Sequence, residues 1–454
     1  MANGKLLSLL TSIGVWAVGG LLGGLVGSLA AVLLTESIKS LLATVSGLST
    51  VWLLLLPLLG VTLAVLILHG LDDGKAVQAL VPRRVALPKR SLSPPTWYSF
   101  PRDVARADLT ADVVATAGAE ERFPWHLAPV RALAILSTVG LGAAMGTEAP
   151  AAHLGVAAGS WLGSMHPALR RLVQPAAIGG GAAGVAALMG IPLVGSFFML
   201  ELSQRRKVPI TLERVTAVLV GGLVGWGLNI AFRLDLIRLV VPKVPPSDIW
   251  DAVGAALFIG AISGAVTSFS GEAIYWARGW KARPVIRLLV GALAMLAFAA
   301  VTAVVASPAA AFGPGGAAII WAETVQTTPY HLLAVALLCA ASTVAAVVAG
   351  GCGGVFVPFL AIGDLSGRVF ADTFGVPPDL AGAAGAAAGI AGGYRLPFTA
   401  MAMVLGIGGP QSAKLTCFAT VFVATISGLM TAKVANKLST SLLAKIRQMR
   451  SPEG

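Results

Sequence analysis

The sequence predicts an all-α polytopic membrane protein in which several helices are discontinuous or cross only part of the bilayer. Three observations carry that reading. Of 454 residues, 56% are hydrophobic and 11% charged, with a mean hydropathy of +0.85; about 25% charge is usual in a soluble domain, so a soluble globule is excluded. Long apolar stretches recur through the chain. Finally, 54 glycines and 26 prolines fall largely inside those stretches, where they break or closely pack helices.

Lys5 precedes an apolar run from Leu6 to about Leu34, too long for a signal-peptide core and without a clear small-residue cleavage site, so it reads as a retained first membrane helix. In it Gly19, Gly23 and Gly27 form one stripe, with Gly20 and Gly24 beside it, a small-xxx-small pattern that lets backbones approach closely. Further apolar stretches lie at about 48–69, 127–163, 170–202, 212–232, 250–270, 285–311, 331–363, 381–407 and 414–432. Several exceed the roughly 20 residues that span a bilayer, and each of these is expected to contain two shorter segments.

Charge orients the chain. The net +12 (32 basic, 20 acidic) would raise nucleic acid as a partner in a soluble protein; here it reflects basic loops on one membrane face. Residues 203–214, with Arg205, Arg206, Lys207 and Arg214 against Glu213, and 278–287, with Arg278, Lys281, Arg283 and Arg287, read as cytoplasmic. So do both termini and a Pro-rich insertion at about 81–126, whereas the balanced loop 233–251 reads as external. This suits the inner (plasma) membrane. The division expected is a first membrane repeat over 1–210 and a second over 211–454, with no regulatory domain after the last helix. Cys339, Cys352 and Cys417 have no CxxC spacing and read as buried thiols, not as a zinc site or disulfide framework.

An internal repeat is the strongest organising signal. Gly146-Thr-Glu-Ala-Pro150-Ala-Ala-His-Leu-Gly155 and Gly354-Val-Phe-Val-Pro358-Phe-Leu-Ala-Ile-Gly363 share the frame G-x3-P-x4-G. A second pair follows in the same order, Gly190-Ile-Pro192 and Arg395-Leu-Pro397. Duplicated halves with broken segments at matching positions point to a binding site at the membrane midplane.

The chemistry follows from the breaks. Proline near a helix start loses no hydrogen bond, since the first N–H groups lack intrahelical partners, and those N–H groups with the positive dipole end suit an anion. Two such starts meeting at midplane would hold a small desolvated anion through backbone amides; a full positive charge there would bind too tightly for fast throughput. Glu148 stands in the first start, where an ionisable group costs about 2.5 to 3.5 kcal/mol. As a carboxylate it would compete with the anion, and protonated it would withdraw, so it is a candidate gate and proton carrier, or else a buried acid paired with a base. Glu201 is either a helix-end partner of Arg205 or a proton-path residue. His153 reads as helix packing or as a relay, and Asp364 and Glu323 as ordinary solvated acids at segment ends. No metalloprotease, nucleophile-elbow or P-loop motif is present, so an enzyme is not expected. Nor is there a TVGYG filter for a K⁺-type pore.

These residues resemble the CLC family of chloride channels and proton-coupled anion exchangers. Gly146-Thr-Glu-Ala-Pro150 is similar to its G-[KR]-E-G-P motif, Gly354-Val-Phe-Val-Pro358 matches G-x-F-x-P, Arg395-Leu-Pro397-Phe-Thr-Ala resembles R-x-P-[LF]-[TS]-G, and Ile191-Pro192-Leu-Val-Gly195 resembles A-P-[LIV]-[AGS]-G. The resemblance implies a CLC-like inverted-repeat fold, a homodimer with one pore per subunit, chloride or a similar small anion and H⁺ as cargo, no cofactor, and Glu148 as the external gate. It further implies that the anion is held around Gly146, Thr147, Ala149, Gly354, Val355 and Phe356. There are departures: Thr147 replaces the basic residue before the gate and Ala149 the glycine after it. The central serine motif falls near His69-Gly-Leu-Asp-Asp-Gly74, with Leu71 as counterpart, the pore tyrosine position holds Ser439, and the exchangers' inner glutamate aligns with Leu202, beside Glu201. Three readings follow: anion movement gated by Glu148, strict H⁺/anion exchange through Glu148 and Glu201, or a scaffold that does not transport.

Overall fold

The computed structural model describes residues 2–72, 123, 125–205, 207–234, 239–242, 244, 245, 248–409 and 414–450. Among the described residues the regular structure is helical, and eight helices are long and apolar enough to cross a membrane. The insertion expected at about 81–126 lies outside the described residues apart from Phe123 and a 3-10 turn at Trp125–Leu127.

The first half comprises α1 (Ala2–Ser46), α2 (Thr50–Asp72), α3 (Ala128–Gly140), α4 (Glu148–Ser164), α5 (Val173–Met189), α6 (Pro192–Arg205) and α7 (Leu212–Phe232). After it come α8 (Ile249–Gly279), α9 (Pro284–Val305), α10 (Gly316–Thr324), α11 (Pro329–Ala349), α12 (Phe356–Arg368), the single turn α13 (Ala371–Phe374), α14 (Pro378–Gly393), α15 (Pro397–Ile407) and α16 (Leu415–Arg450). The long stretches at 127–163, 170–202, 331–363 and 381–407 each divide into two helices, as their internal Gly and Pro predict. The first stretch is one helix: α1 runs unbroken past the five glycines of its two stripes, which serve packing. Gly19, Gly23 and Gly27 face Pro175, Ala176 and Gly180 of α5, and Gly20 and Gly24 face Ala217 and Gly221 of α7. The two stripes thus have two different partners.

The halves are built alike. In the first, α5 is a buried Ala/Gly helix packed on α1, α4 and α7; in the second, α14 is its counterpart, packed on α8, α12 and α16. Gly260 and Gly264 of α8 meet Ala424 and Gly428 of α16, as Gly20 and Gly24 meet Ala217 and Gly221. Gly180 is approached closely from two sides, since a Cβ on Gly27 or on Gly155 would run into its backbone. The halves are joined where α4 meets α12 and α6 meets α15. Because α7 packs on α5, α1 and α6, it groups with the helices before it rather than with those after residue 210.

Arg287 departs from expectation. Read as a loop charge, it lies inside α9 and is 6% exposed. Its guanidinium donates to the carbonyls of Ala277 and Trp280 at the end of α8 and of Val347 and Val348 at the end of α11, at 3.2–3.5 Å. Helix C-termini leave carbonyls unsatisfied, and one buried cation here satisfies two of them.

Candidate functional site

Both repeated motifs start helices at the centre of the fold. Gly146 and Gly354 form a reciprocal antiparallel bridge, Gly146 N–H to Gly354 O at 2.7 Å and Gly354 N–H to Gly146 O at 2.8 Å. A reciprocal pair of this kind has two-fold symmetry, so the duplicated segments run in opposite directions through their point of contact. Immediately beyond it α4 begins after Thr147 and α12 after Val355, neither capped by its own side chain. A third tie fastens the same loop: the Cys352 amide donates to the Thr138 hydroxyl of α3 at 3.0 Å. Val355 and Phe356 are buried at this junction.

Glu148 lies in the first turn of α4 and is 2% exposed. Its carboxyl group lies beside the backbone N–H groups of Thr147, Glu148 and Val357. A Cβ at Gly146 would stand 2.5 Å from Glu148 Oε2 and 3.3 Å from Val357 Cβ, so the carboxyl group is packed in the hollow that glycine leaves. The Thr147 hydroxyl lies 3.4 Å from Oε1, and Oε2 has no hydrogen-bond partner among the described residues. A carboxyl group lodged between two helix starts occupies a place that suits a small anion, because donors and dipoles there act on any negative charge.

An aromatic wall adjoins the Phe356 start. The ring of Phe356 meets Phe198 of α6 at 6.0 Å and Tyr394 at 5.7 Å, both edge to face, and Tyr394 also meets Phe359 edge-on at 6.1 Å. Arg205, at the end of α6, holds its guanidinium 5.2 Å from the centre of the Tyr394 ring. These aromatics were not singled out in the sequence; only Phe356 was. Phe198 and Tyr394 lie far apart in the chain, and their one sequence signal is that each flanks a repeated Pro motif.

Glu201 binds the start of α15. Its carboxylate accepts from the backbone N–H groups of Phe398 and Thr399, both at 2.9 Å, and from the Thr399 hydroxyl. Neither alternative read from sequence anticipated this cap across the two halves, although Arg205 is within electrostatic reach. Leu202, at the exchangers' inner-glutamate position, is fully buried in apolar contacts. Leu71 falls in the last turn of α2 and Ser439 in α16, and their side chains lie outside the described residues.

His153 is packed rather than solvated, with Phe123 edge-on at 5.2 Å and Arg131 Nη1 3.4 Å from its Nε2. Asp364 corrects an expectation. Far from being solvated, it is 0% exposed in the middle of α12 and bonded through Oδ1 to Arg368 Nε at 2.7 Å. Arg368 also holds Asp379 at 2.8 Å and Glu323 at 3.2 Å. The sequence signal was Asp and Arg four residues apart, which share a helix face.

With this geometry in place, the comparisons with known proteins decide the family. A family model described as "Voltage gated chloride channel" matches residues 97–428. The chain belongs to the CLC family. Among curated CLC relatives, the H(+)/Cl(-) exchange transporter ClcA of Yersinia pestis bv. Antiqua (strain Angola) is 26% identical over 306 residues, 62% of this chain and 60% of that protein. ClcA of Vibrio cholerae serotype O1 (strain ATCC 39541 / Classical Ogawa 395 / O395) is 24% identical over 308 residues, 62% of each. The match thus spans about three fifths of the curated relatives' length. In fold the chain is similar to a CLC-type fluoride/proton antiporter (TM-score 0.66, 20% identity, 94% of this chain and 96% of that one). It is also similar to a slow cyanobacterial Cl-/H+ antiporter (TM-score 0.65, 16% identity, 96% and 98%). The CLC inverted-repeat fold therefore holds over nearly the whole chain.

Proposed function

We propose that this CLC protein moves chloride or a similar small inorganic anion across a membrane, with Glu148 as the gate. The observation that carries the reading is the Glu148 carboxyl group lodged against the first-turn amides of α4 and α12. An ionised carboxylate competes with the anion for those donors; protonation removes the negative charge, weakens its hold and frees the site. Gly146, Thr147, Ala149, Gly354, Val355 and Phe356 supply the backbone that would surround the ion. The sign for pH follows: flux rises as the pH on the Glu148 side falls. Liposome efflux of chloride, fluoride and nitrate, recorded over a pH series, tests this. Glu148→Gln should transport at a rate independent of pH, and flux in that variant that stays as pH-dependent as wild type would overturn the gating role.

Strict H⁺/anion exchange is a second reading, raised by the names of the ClcA relatives, which are called exchange transporters. Glu201, half-buried and one residue from Leu202, is its nearest inner acid. Proton uptake driven by an anion gradient alone would establish exchange; anion flux without proton movement would establish passive transport. The repeat boundary belongs in 233–248, after α7, and not at 210, in view of the packing of α7. On the positive-inside rule the protein is a multi-pass inner-membrane protein with both termini and the Arg205 end of α6 cytoplasmic, working as a homodimer.

A further inference from the structure

Three of the helices long and apolar enough to cross a membrane, α8, α9 and α11, leave an open apolar groove of about 390 Å³ between them. Phe269 and Ala273 of α8, Val290 and Ala294 of α9, and Ala341 and Val344 of α11 form its walls. Two of these walls continue past the groove to the ends of their helices. On α8, Phe269, Ala273, Trp276 and the C-cap Trp280 recur at helical spacing and so share one face, with both tryptophans exposed. On α9, the N-cap Arg283, Ile286, Val290 and Ala294 do the same. Lys281 lies between the two helix ends. The Arg287 tie fixes this foot, because Val348, which accepts from Arg287, also lines the groove. Lys281 and Arg283 are exposed. Glu272, the one acid between residues 264 and 287, stands 3.6 Å from Arg395.

We propose that this groove binds an anionic glycerophospholipid. One acyl chain lies along α8, α9 and α11, Trp276 and Trp280 flank the glycerol, and the phosphate rests on Lys281 and Arg283. Tryptophan is suited to the boundary between hydrocarbon and head groups, and basic pockets between membrane helices hold acidic lipid head groups. Charge selects the occupant. A zwitterionic lipid would bring a cation of its own against these two, and a second copy of this chain seated by the same face would set them against their own kind. The site is remote in sequence from the Glu148 motif, and the proposal does not rest on the gate.

The test is a lipid titration of the full-length protein, stripped of lipid in detergent, with bound lipid counted by native mass spectrometry. Phosphatidylglycerol should bind with a lower Kd than phosphatidylcholine. Lys281→Gln/Arg283→Gln should weaken phosphatidylglycerol roughly 30-fold, the equivalent of about 1 kcal/mol for each cation, and leave phosphatidylcholine unchanged. Ala273→Trp, at an exposed position on the wall, should fill the groove and weaken both lipids. Arg170→Gln/Arg171→Gln, which removes exposed cations elsewhere, should bind as wild type does. Equal Kd values for the two lipids, or a Lys281→Gln/Arg283→Gln variant within about twofold of wild type, would overturn the proposal. So would full competition by soluble glycerol phosphate, which would make this a site for a free anion. An Ala273→Trp variant that changes the oligomeric mass while lipid binding stays intact would overturn it in favour of a protein contact.

Discussion

Gly146-Thr147-Glu148-Ala149-Pro150 and Gly354-Val355-Phe356-Val357-Pro358 enter their helices through nearly the same backbone. The N-cap residues stand at φ −103°, ψ −12° and φ −116°, ψ 11°. Their side chains differ at the decisive place, since the repeat frame puts Phe356 where the first motif has Glu148. One start carries a titratable group, and the other an aromatic wall. Further along, α12 has Asp364 and Arg368 where α4 has Val156 and Ser160. Duplication thus supplies amide donors twice, while function and part of the stability come from residues that are not duplicated. This is why symmetry of backbone and asymmetry of role can coexist in one chain.

The largest effect should come from the unduplicated ion cluster. Arg368→Gln leaves Asp364, Asp379 and Glu323 without their common cation, and breaking a buried pair in this way costs about 3–5 kcal/mol, to be read from denaturant or thermal unfolding in detergent. A loss below about 1 kcal/mol would mean that the cluster contributes no more than an ordinary surface pair. Next, Phe356→Glu would make the second motif resemble the first and set two carboxylates against one set of amides. Like charges at one site are strongly unfavourable, so anion flux at neutral pH should fall by at least about 100-fold and recover partly in acid. Unchanged flux would take Phe356 off the anion path.

A smaller difference is expected between the two glutamates. Glu201 accepts three hydrogen bonds at the start of α15, and Glu201→Ala should cost about 1–3 kcal/mol of stability. Glu148→Ala should cost less, because Oε2 has no hydrogen-bond partner among the described residues. Equal costs would argue that Glu148 is held as a structural acid. Smallest of all should be Ser160→Ala, within about 1 kcal/mol of wild type and toward stabilisation, since the buried Ser160 Oγ lacks a partner among the described residues and its removal relieves an unsatisfied group.

Much of the site was legible because its determinants are local. A glycine that permits close backbone contact, a proline placed at a helix start and one acid in an apolar surround are each readable within five residues, and so Glu148 and both helix starts stand out. The cap of α15 by Glu201 was not legible, since donor and acceptor are 197 residues apart. Arg287 looked like a loop charge because composition does not reveal that four carbonyls wait for it. Asp364 looked solvated for the same reason. The glycine stripes of the first helix were legible as packing surfaces, but which helices they admit, α5 and α7, was not.

By itself the sequence determined the class, the broken segments, the repeat and the gate candidate, because hydropathy, helix-start chemistry and the cost of a membrane-embedded charge depend on residues close together in the chain. Only tertiary structure decided that Gly146 pairs with Gly354, that Tyr394 and Phe198 wall the Phe356 start, and that Arg205 lies on Tyr394. Those contacts depend on how two halves of similar composition meet, and many pairings of Ala- and Gly-rich helices are equally apolar. Close packing, with the buried cations Arg287 and Arg368 each placed against its acceptors, singles out one of them.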